Sequence, residues 1–166
     1  MLRAAELLDA GHDLTAFASG TTTLDEWLKK RALGNQNLGA SRTYVACDDR
    51  TVVAYYALAA GSILHSEATG KLKRNMPDPI PAMVLARLAV DQSWQGRGLG
   101  ADMLGDAVKR TLQAAQIAGV RAMVVDAISE DAAKFYERWG FVRSTAMPMR
   151  LMARITDLVG ALGHLP

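Results

Sequence analysis

The pattern of apolar and polar positions divides the chain into two halves. In the first half, apolar residues at helical spacing from Leu24 to about Leu33 predict a helix, and Thr23 with Glu26 forms a capping-box sequence at its start. The rest of this half favours strands. The predicted strands are Ala4–Leu8, Thr43–Cys47 and Thr51–Ala60, the last two antiparallel and joined by a turn at Asp48–Arg50.

The second half alternates between strands and helices after the proline-rich loop Pro77–Pro81. Arg121–Ala127 is apolar enough to be buried on both faces of a sheet. This order, an antiparallel first half followed by a strand–helix–strand unit, predicts an α/β fold. The predicted strands are Ala82–Val90, Arg121–Ala127, Phe141–Arg143 and Met149–Ile155; the helices are Gly98–Ile117, ended by Gly119, Glu130–Trp139, closed by Gly140, and Thr156–Leu162.

The composition is typical of a globular protein with one domain over residues 1–166, because 50% of the residues are hydrophobic and 22% are charged. The longest apolar runs, Val52–Ala60 and Ala122–Val125, are too short to cross a bilayer. No charged leader precedes an apolar segment, so we expect a cytoplasmic protein without membrane contact. Cys47 is the single cysteine, which excludes an internal disulfide and fits a reducing compartment.

The net charge of +2 does not by itself indicate a nucleic-acid partner. Basic residues do cluster locally, although such runs are most often solvated faces. The clusters are Lys29-Lys30-Arg31, Arg42 and Lys71-Leu72-Lys73-Arg74.

The glycine-rich segment Gln95–Gly100, ahead of the longest predicted helix, is the strongest candidate for a binding site. A glycine-dense turn that opens a helix exposes backbone N–H groups, which together with the helix dipole suit a phosphate or pyrophosphate. Ala101-Asp102 stands where a nucleotide-triphosphate loop needs Lys followed by Ser or Thr, which excludes that motif. The spacing G-x-G-x-G after the spacer Asp91–Gln95 also differs from the dinucleotide fingerprint. A turn that binds no ligand remains the alternative.

A second motif follows the buried strand and decides between these alternatives. Together the two motifs resemble the acetyl-CoA site of the GNAT superfamily of N-acetyltransferases. The resemblance implies the GNAT fold, with a mixed, largely antiparallel sheet splayed between its fourth and fifth strands and flanked by helices. The motifs are Val90-x-x-x-x-Gln95-x-x-Gly98-x-Gly100 and Ser129-x-x-Ala132-x-x-Phe135-Tyr136-x-x-x-Gly140-Phe141.

The resemblance implies acetyl-CoA as the cosubstrate and no metal. Its pantetheine arm would pair with the backbone of Leu88–Val90, and the amides of Arg97–Ala101 would hold the pyrophosphate. A strand amide near Ala89 would polarise the thioester carbonyl, and Ser129, where the family often has Asn, would bond to the pantetheine arm. The implied cofactor-binding residues are Leu88, Ala89, Val90, Gln95, Gly96, Arg97, Gly98, Leu99, Gly100, Ala101, Ser129 and Phe135.

Tyr136 is the implied general acid, because an ordinary tyrosine stays protonated at neutral pH and can supply a proton to the departing thiolate. Outside this motif, a tyrosine on an apolar helix is more often a core residue. Phe135 is interpreted as the core residue of the pair. We interpret Trp94 and Trp139 as packing groups, and Asp91, Asp126 and Glu130 as caps or solvated groups rather than a general base.

Motifs in the first half narrow the resemblance to one GNAT branch. Its members are bacterial toxins, paired with small ribbon–helix–helix antitoxins, that acetylate the α-amine of amino acids esterified to transfer RNA and so block translation. The motifs are Phe17-x-x-Gly20-x-x-x-Leu24-Asp25-x-Trp27-Leu28, Ser41–Val45, Ala54–Leu58 and Met147–Met152.

The branch implies aminoacyl-tRNA and an antitoxin as partners, with DNA contacted only through the antitoxin. A homodimer is also expected, through apolar residues near Leu151–Leu162. The candidate RNA-binding residues are Lys29, Lys30, Arg31, Arg42, Lys73, Arg74, Arg87 and Arg150, of which Arg87 and Arg150 are equally suited to capping or ion pairing. Two alternatives remain: a GNAT enzyme for a small-molecule amine or a protein N-terminus, and a CoA-binding regulatory protein without turnover.

Overall fold

The computed structural model describes residues 1–162 and has the expected α/β architecture, a seven-stranded sheet flanked by helices. The strands are β1 Glu6–Leu7, β2 Arg42–Asp48, β3 Thr51–Ile63, β4 Ile80–Val90, β5 Ala122–Asp126, β6 Val142–Arg143 and β7 Arg150–Arg154. The helices are α1 Thr22–Lys30, α2 Ala32–Asn37, α3 Gly70–Lys73, α4 Leu99–Ala115, α5 Glu130–Arg138 and α6 Ile155–Leu162. The strand order is β1-β2-β3-β4-β5-β7-β6, mostly antiparallel, with β4 parallel to β5.

The chain forms two compact units, and the first comprises Met1–Ala59 and Ala86–Ala107. Tyr55 lies at the centre of its core, fully buried, and its hydroxyl donates to the carbonyl oxygen of Leu24 at 2.7 Å. Phe17 packs edge-on against the Tyr55 ring and Trp27 stacks on it. These contacts therefore pack α1 against β3. The buried members of the core are Leu8, Phe17, Leu24, Leu28, Ala32, Val45, Cys47, Val52, Tyr55 and Ala89.

The second unit comprises Ala60–Leu85 and the chain from Val108 onward. Here β5 pairs in parallel with β4 over Ala82–Val84 and antiparallel with β7 over its whole length. Every residue of β5 except Asp126 is buried, as the apolar run Arg121–Ala127 predicts. Its core consists of Ile63, Leu72, Ile80, Ala82, Ala122, Val124 and Met152.

The start of the first helix differs from the capping-box prediction. Thr21, not Thr23, is the N-cap residue, and it makes no side-chain cap bond. The carboxylate of Asp25 instead accepts hydrogen bonds from the backbone N–H and the hydroxyl of Ser19, ahead of the helix. Glu26 pairs with Lys30 one turn later, at 3.7 Å.

The predicted helix to Leu33 is also wrong, because α1 ends at Lys30 and a separate helix, α2, begins after Arg31. Buried Gln36 fixes α2 by polar contacts: its side-chain amide donates to Leu8 O at 2.8 Å and accepts from Thr43 N at 2.9 Å. A pattern of apolar positions carries no signal for such contacts.

The segment Leu151–Leu162, expected to expose an apolar dimer surface, is instead largely buried within the second unit. Strand β7 lies between β5 and β6, and α6 packs its apolar residues inward. Val159 is the large apolar side chain of the segment that is exposed, at 37%. This segment therefore does not supply the expected apolar dimer surface, and the homodimer itself stays a prediction. The buried residues include Leu151, Met152, Ile155, Leu158 and Leu162.

Two short features, α3 and a 3-10 turn at Gln92–Trp94, have no counterpart in the sequence prediction. Within residues 1–162, no helix is long and apolar enough to cross a membrane. The single domain over residues 1–166 stays a prediction.

Candidate functional site

The glycine-rich loop of the first unit has the backbone conformation that its sequence indicates. Gly96 and Gly98 have φ angles of 79° and 81°, in the left-handed region that side chains with a Cβ rarely adopt. No atom lies within 4 Å of a Cβ built on either residue, so the backbone angle, not crowding, requires glycine. Helix α4 begins at Leu99, and the first N–H groups of a helix have no partner within it. The loop therefore presents backbone donors suited to an anion.

The side chain of Gln95 ties this loop to the rest of the first unit. Its amide nitrogen donates to the carbonyl oxygen of Val90, at the end of β4, at 2.9 Å. The same nitrogen donates to the carbonyl oxygen of Ser19 at 2.8 Å. These contacts position the loop, and the expectation that Gln95 binds the cofactor stays a prediction.

Asp91 forms a second connection between the end of β4 and the Ala18 segment. Its carboxylate accepts hydrogen bonds from Ala18 N and Ser93 N at 2.9 and 3.0 Å and from the Ser93 hydroxyl. Gln92 N donates in turn to Ala18 O at 2.8 Å. Burial acts to raise the pKa of Asp91, but hydrogen bonds from Ser93 and Ala18 outweigh it, so the pKa is lowered. Asp91 is thus the N-cap of the 3-10 turn, which matches its interpretation as a cap.

The end of β4 carries the predicted thioester-binding residues. The Ala89 side chain is buried in the core of the first unit, whereas Leu88 and Val90 are half-buried. All three residues lie beyond Ala82–Val84, the stretch of β4 that pairs with β5. In the loop that follows, the Arg97 guanidinium lies 4.8 Å from the centre of the Trp94 ring, so Trp94 supports this cation.

In the second unit, Ser129 caps α5. Its hydroxyl oxygen accepts a hydrogen bond from Ala132 N at 3.1 Å. Because a hydroxyl can donate while it accepts, the cap leaves the Ser129 proton available for another acceptor. Serine followed by Glu130 and Asp131 is a helix-start signal that the sequence analysis did not use.

Tyr136 lies on the buried side of α5 and is 6% exposed. Its ring packs edge-on against Phe135 and Phe141, with centroid distances of 5.2 and 5.5 Å. Phe135 is only half-buried, so the expectation that Phe135 is the core residue of the pair is reversed. Burial raises the pKa of Tyr136 above its ordinary value, which keeps the phenol protonated.

The Tyr136 hydroxyl is not completely enclosed, despite the burial of its ring. It bonds to none of residues 1–162. In that part of the chain, the enclosed side-chain polar atoms without a partner are Ser41 Oγ, Thr43 Oγ1 and Trp139 Nε1. Since the Tyr136 oxygen is not among them, its O–H group is not completely enclosed.

Comparison with known proteins identifies the family. The model of the acetyltransferase (GNAT) domain matches residues 39–143, a stretch that contains both the glycine-rich loop and Tyr136. The chain belongs to the GNAT acetyltransferase family.

Three relatives are similar over nearly the whole chain. A curated protein of Mycobacterium tuberculosis (strain ATCC 25618 / H37Rv), called a tRNA-acetylating toxin, is 47% identical over 151 residues, 91% of each chain. The structure of AtaT complexed with acetyl-methionyl-tRNAfMet has a TM-score of 0.87 at 28% identity and covers 95% of this chain and 97% of that one. An AtaT mutant bound to the C-terminus of the antitoxin AtaR and acetyl-CoA has a TM-score of 0.82 at 27% identity, with 96% of each chain covered.

The carboxylates considered as a general base in this acetyltransferase all have structural partners. Asp91 is a cap, and Asp126 accepts two hydrogen bonds from the Arg150 guanidinium at 2.8 and 2.9 Å. Glu130 pairs with Arg143, with oxygen–nitrogen distances of 2.6 and 3.1 Å. Hydrogen bonding from Arg143 lowers the pKa of Glu130.

The candidate RNA-binding residues differ in how firmly the structure holds them. Arg150 bridges Asp126 and Glu67, which gives it the ion-pairing role that the sequence left open. Arg87 instead lies over the Trp27 ring, with its guanidinium carbon 4.8 Å from the ring centre. The others are exposed: Lys29, Lys30, Arg31 and Arg42 in the first unit, Lys73 and Arg74 in the second.

Glu6, His12 and Cys47 offer ligand atoms within 4.8 Å of one another, a cluster that the sequence prediction did not include. Both nitrogens of the His12 ring already have partners, since Nδ1 accepts from Asp9 N at 3.0 Å and Nε2 faces Glu6 at 2.9 Å. Burial raises the pKa of Cys47 to about 11, which keeps the thiol protonated. Protein contacts thus account for this cluster.

Proposed function

We propose that this acetyltransferase moves the acetyl group of acetyl-CoA to the α-amine of the amino acid on a charged tRNA and thereby blocks translation. The observation that carries the proposal is the 47% identity to a tRNA-acetylating toxin over 91% of both chains. The likeness to AtaT in complex with acetyl-methionyl-tRNAfMet, the product of such a transfer, supports the same substrate class.

Acetyl-CoA is the proposed donor, as in the AtaT structure that contains it. The N–H groups at the start of α4 would hold its pyrophosphate, because the left-handed Gly96 and Gly98 leave the loop backbone open. The backbone of Leu88–Val90 would bind the pantetheine arm. The Ala89 N–H group would then donate to the thioester oxygen, where negative charge develops during the reaction.

In the proposed reaction, the neutral α-amine attacks the thioester carbon. A C–N bond forms as the C–S bond breaks, and the sulfur leaves as a thiolate. Tyr136 donates its proton to this thiolate, and the tyrosine then regains a proton from solvent. The free O–H group supports this role, because it is protonated at neutral pH and bonds to none of residues 1–162.

No carboxylate is assigned as the base in this proposal. The three considered are engaged as a cap or in ion pairs. An α-amine next to an ester is less basic than a lysine amine, so a large share of it is already neutral at cellular pH. The amine proton would therefore pass to water.

An antitoxin is the proposed protein partner. AtaT binds the C-terminus of its antitoxin AtaR, and we expect a ribbon–helix–helix antitoxin with a disordered tail to bind this chain in a comparable way. Any DNA contact would be made by that antitoxin. A homodimer is also proposed, and a scattering profile that stays monomeric at all concentrations would contradict it.

Radiolabelled acetyl-CoA tests the substrate. The protein is incubated with it and with charged tRNA, uncharged tRNA or free amino acids, and the label is followed in each fraction. Label on the charged tRNA alone is the expected result. Label on free amino acids or other small amines would indicate a small-molecule acetyltransferase, and CoA binding without any transfer would indicate a regulatory protein.

A further inference from the structure

Arg87 stands apart from the other basic residues because it is held in place without a counter-charge. Within residues 1–162, no carboxylate lies within ion-pair distance of its guanidinium. The side chain is half-buried, and a cation in such a place is costly unless something compensates it. Arg150, by comparison, bridges two carboxylates.

Aromatic rings fix the orientation of Arg87. The guanidinium lies over Trp27, and Trp27 stacks on buried Tyr55 with an interplanar angle of 14°. The Tyr55 hydroxyl is bonded to Leu24 O, so the support below the arginine is rigid. A planar guanidinium held by a ring keeps its N–H edge free to bind.

Most hydrogen-bond donors of this guanidinium remain available. One nitrogen donates to Ala86 O at 3.1 Å, and this is its hydrogen bond within residues 1–162. An arginine has five N–H donors. None of the Arg87 nitrogens is among the enclosed atoms without a partner, so the remaining donors are not completely enclosed.

Arg87 lies on β4 two residues before Ala89, whose N–H group is assigned to the thioester in the proposed function. Arg87 and Ala89 point to the same side of the strand, about 7 Å apart by the rise of an extended chain. Arg87 precedes Ala89 in the sequence, whereas the glycine-rich loop comes after Ala89. Arg87 is therefore separated from the loop assigned to the CoA pyrophosphate.

We propose that Arg87, supported by Trp27, binds the phosphate that joins the last two nucleotides of the aminoacyl-tRNA and so positions the α-amine. This inference rests on the proposed function. The amino acid is esterified to the terminal ribose, so this phosphate is the substrate anion nearest the reacting amine. A guanidinium binds such an anion through two parallel N–H···O bonds, which an ammonium group cannot do.

The test compares wild type, Arg87→Ala and Arg87→Lys, with Arg154→Ala as the control. Arg154 is paired with Asp157 in α6 and its loss removes the same charge. Each protein acetylates an aminoacyl minihelix, which has the terminal phosphates, and an amino-acid methyl ester, which has none. The binding of uncharged minihelix is measured by fluorescence anisotropy at several salt concentrations.

Arg87→Ala should lower kcat/KM for the minihelix by at least about tenfold, as loss of a charge-assisted pair does. The kcat/KM of Arg87→Lys for the minihelix should lie between the values of Arg87→Ala and wild type. The slope of log affinity against log salt should fall by about 0.7, as expected for one phosphate of a single strand. Turnover of the methyl ester, KM for acetyl-CoA and all values for Arg154→Ala should change by less than about twofold.

Three results would overturn the inference. Unchanged minihelix kinetics and affinity would show that Arg87 binds no substrate phosphate. A raised KM for acetyl-CoA in Arg87→Ala would show that Arg87 binds a phosphate of the cofactor instead of the RNA. Equal losses on minihelix and methyl ester would show a structural role. Failure of the wild type to acetylate any charged RNA is a separate result that contradicts the proposed function.

Trp27→Leu provides a second variant, because it removes the support and leaves the charge. It should weaken minihelix binding less than Arg87→Ala does, while the salt slope stays near the wild-type value. A slope reduced as far as in Arg87→Ala would contradict the positioning role of Trp27. The melting temperature of each variant confirms that the comparison is made on folded protein.

Discussion

At the scale of single residues, the structure separates groups that hold the fold from groups left available for chemistry. The Tyr55 hydroxyl is bonded to Leu24 O, whereas Tyr136, which is also buried, has a hydroxyl with no partner in residues 1–162. The sequence motif predicts Tyr136 as the general acid, and this role stays a prediction. The motif could not show that the Tyr136 ring is more buried than that of Phe135, because both neighbours suit a core position.

Tyr136→Phe tests the proposed general acid. We expect acetyl-CoA affinity within about twofold of wild type and a kcat lower by about 100-fold, since general acid catalysis typically contributes that much. Calorimetry and single-turnover kinetics measure the two effects. In the matched control, Tyr55→Phe, loss of a structural bond should reduce stability by about 1 kcal/mol and leave kcat for an amino-acid methyl ester, which has no phosphate for Arg87 to bind, nearly unchanged. Full activity of Tyr136→Phe would show that the acid is misassigned.

Gly98→Ala tests the backbone conformation of the loop. A left-handed φ costs an alanine about 1–2 kcal/mol, so we expect lower stability and a KM for acetyl-CoA raised several-fold. Gly39→Ala is the control, because Gly39 has a similar φ of 78° and open space around it. It should lose similar stability with no change in KM. If Gly98→Ala and Gly39→Ala had the same KM for acetyl-CoA, the loop conformation would have no role in cofactor binding.

Asp91 gives a pH-dependent prediction. Its folded pKa lies below the ordinary value of 3.8, so the carboxylate stabilises the fold above that pH and loses this effect as the pH falls through the folded value. Asp91→Asn should therefore lower the denaturant midpoint at pH 7 and have a progressively smaller effect as the pH falls below the folded pKa. Urea unfolding at several pH values measures the difference. A destabilisation that is the same at both pH values would contradict this role.

At the scale of elements, apolar patterning predicted the strands and the long helices but not the polar contacts between them. Strand β5 is buried as expected, because an apolar run has few alternatives. The break at Arg31 and helix α2 depend on buried Gln36, and the loop anchor depends on Gln95. Both glutamines bond to carbonyl groups distant in sequence, which no local pattern reveals.

Gln95→Leu tests this anchor. Removal of the bonds to Ser19 O and Val90 O should loosen the loop and raise KM for acetyl-CoA by about tenfold, with a smaller change in kcat. The neighbouring Gln92→Leu is the control, since Gln92 contacts Ala18 through its backbone N–H, which the substitution keeps. Steady-state kinetics of both variants give the comparison. An unchanged KM for acetyl-CoA in Gln95→Leu would contradict the role of Gln95 in positioning the loop.

At the scale of the whole molecule, a net charge of +2 supplies little general attraction for RNA. In the proposed function, affinity for tRNA would come from a few local cations, most of them exposed. The family and the fold could be predicted from the two motifs in the second half. The dimer surface could not, because the apolar residues of Leu151–Leu162 are as suitable for a core as for an interface, and the structure buries most of them.

The most direct test of the account is mass spectrometry of tRNA after brief expression in cells. Nuclease digestion of the tRNA releases the terminal adenosine with its esterified amino acid. We expect N-acetyl-aminoacyl-adenosine after expression of the wild type, and a much smaller amount of it after equally brief expression of Tyr136→Phe. Unmodified aminoacyl-adenosine in both samples, with folded wild-type protein present in the cells, would contradict acetylation of charged tRNA by this protein.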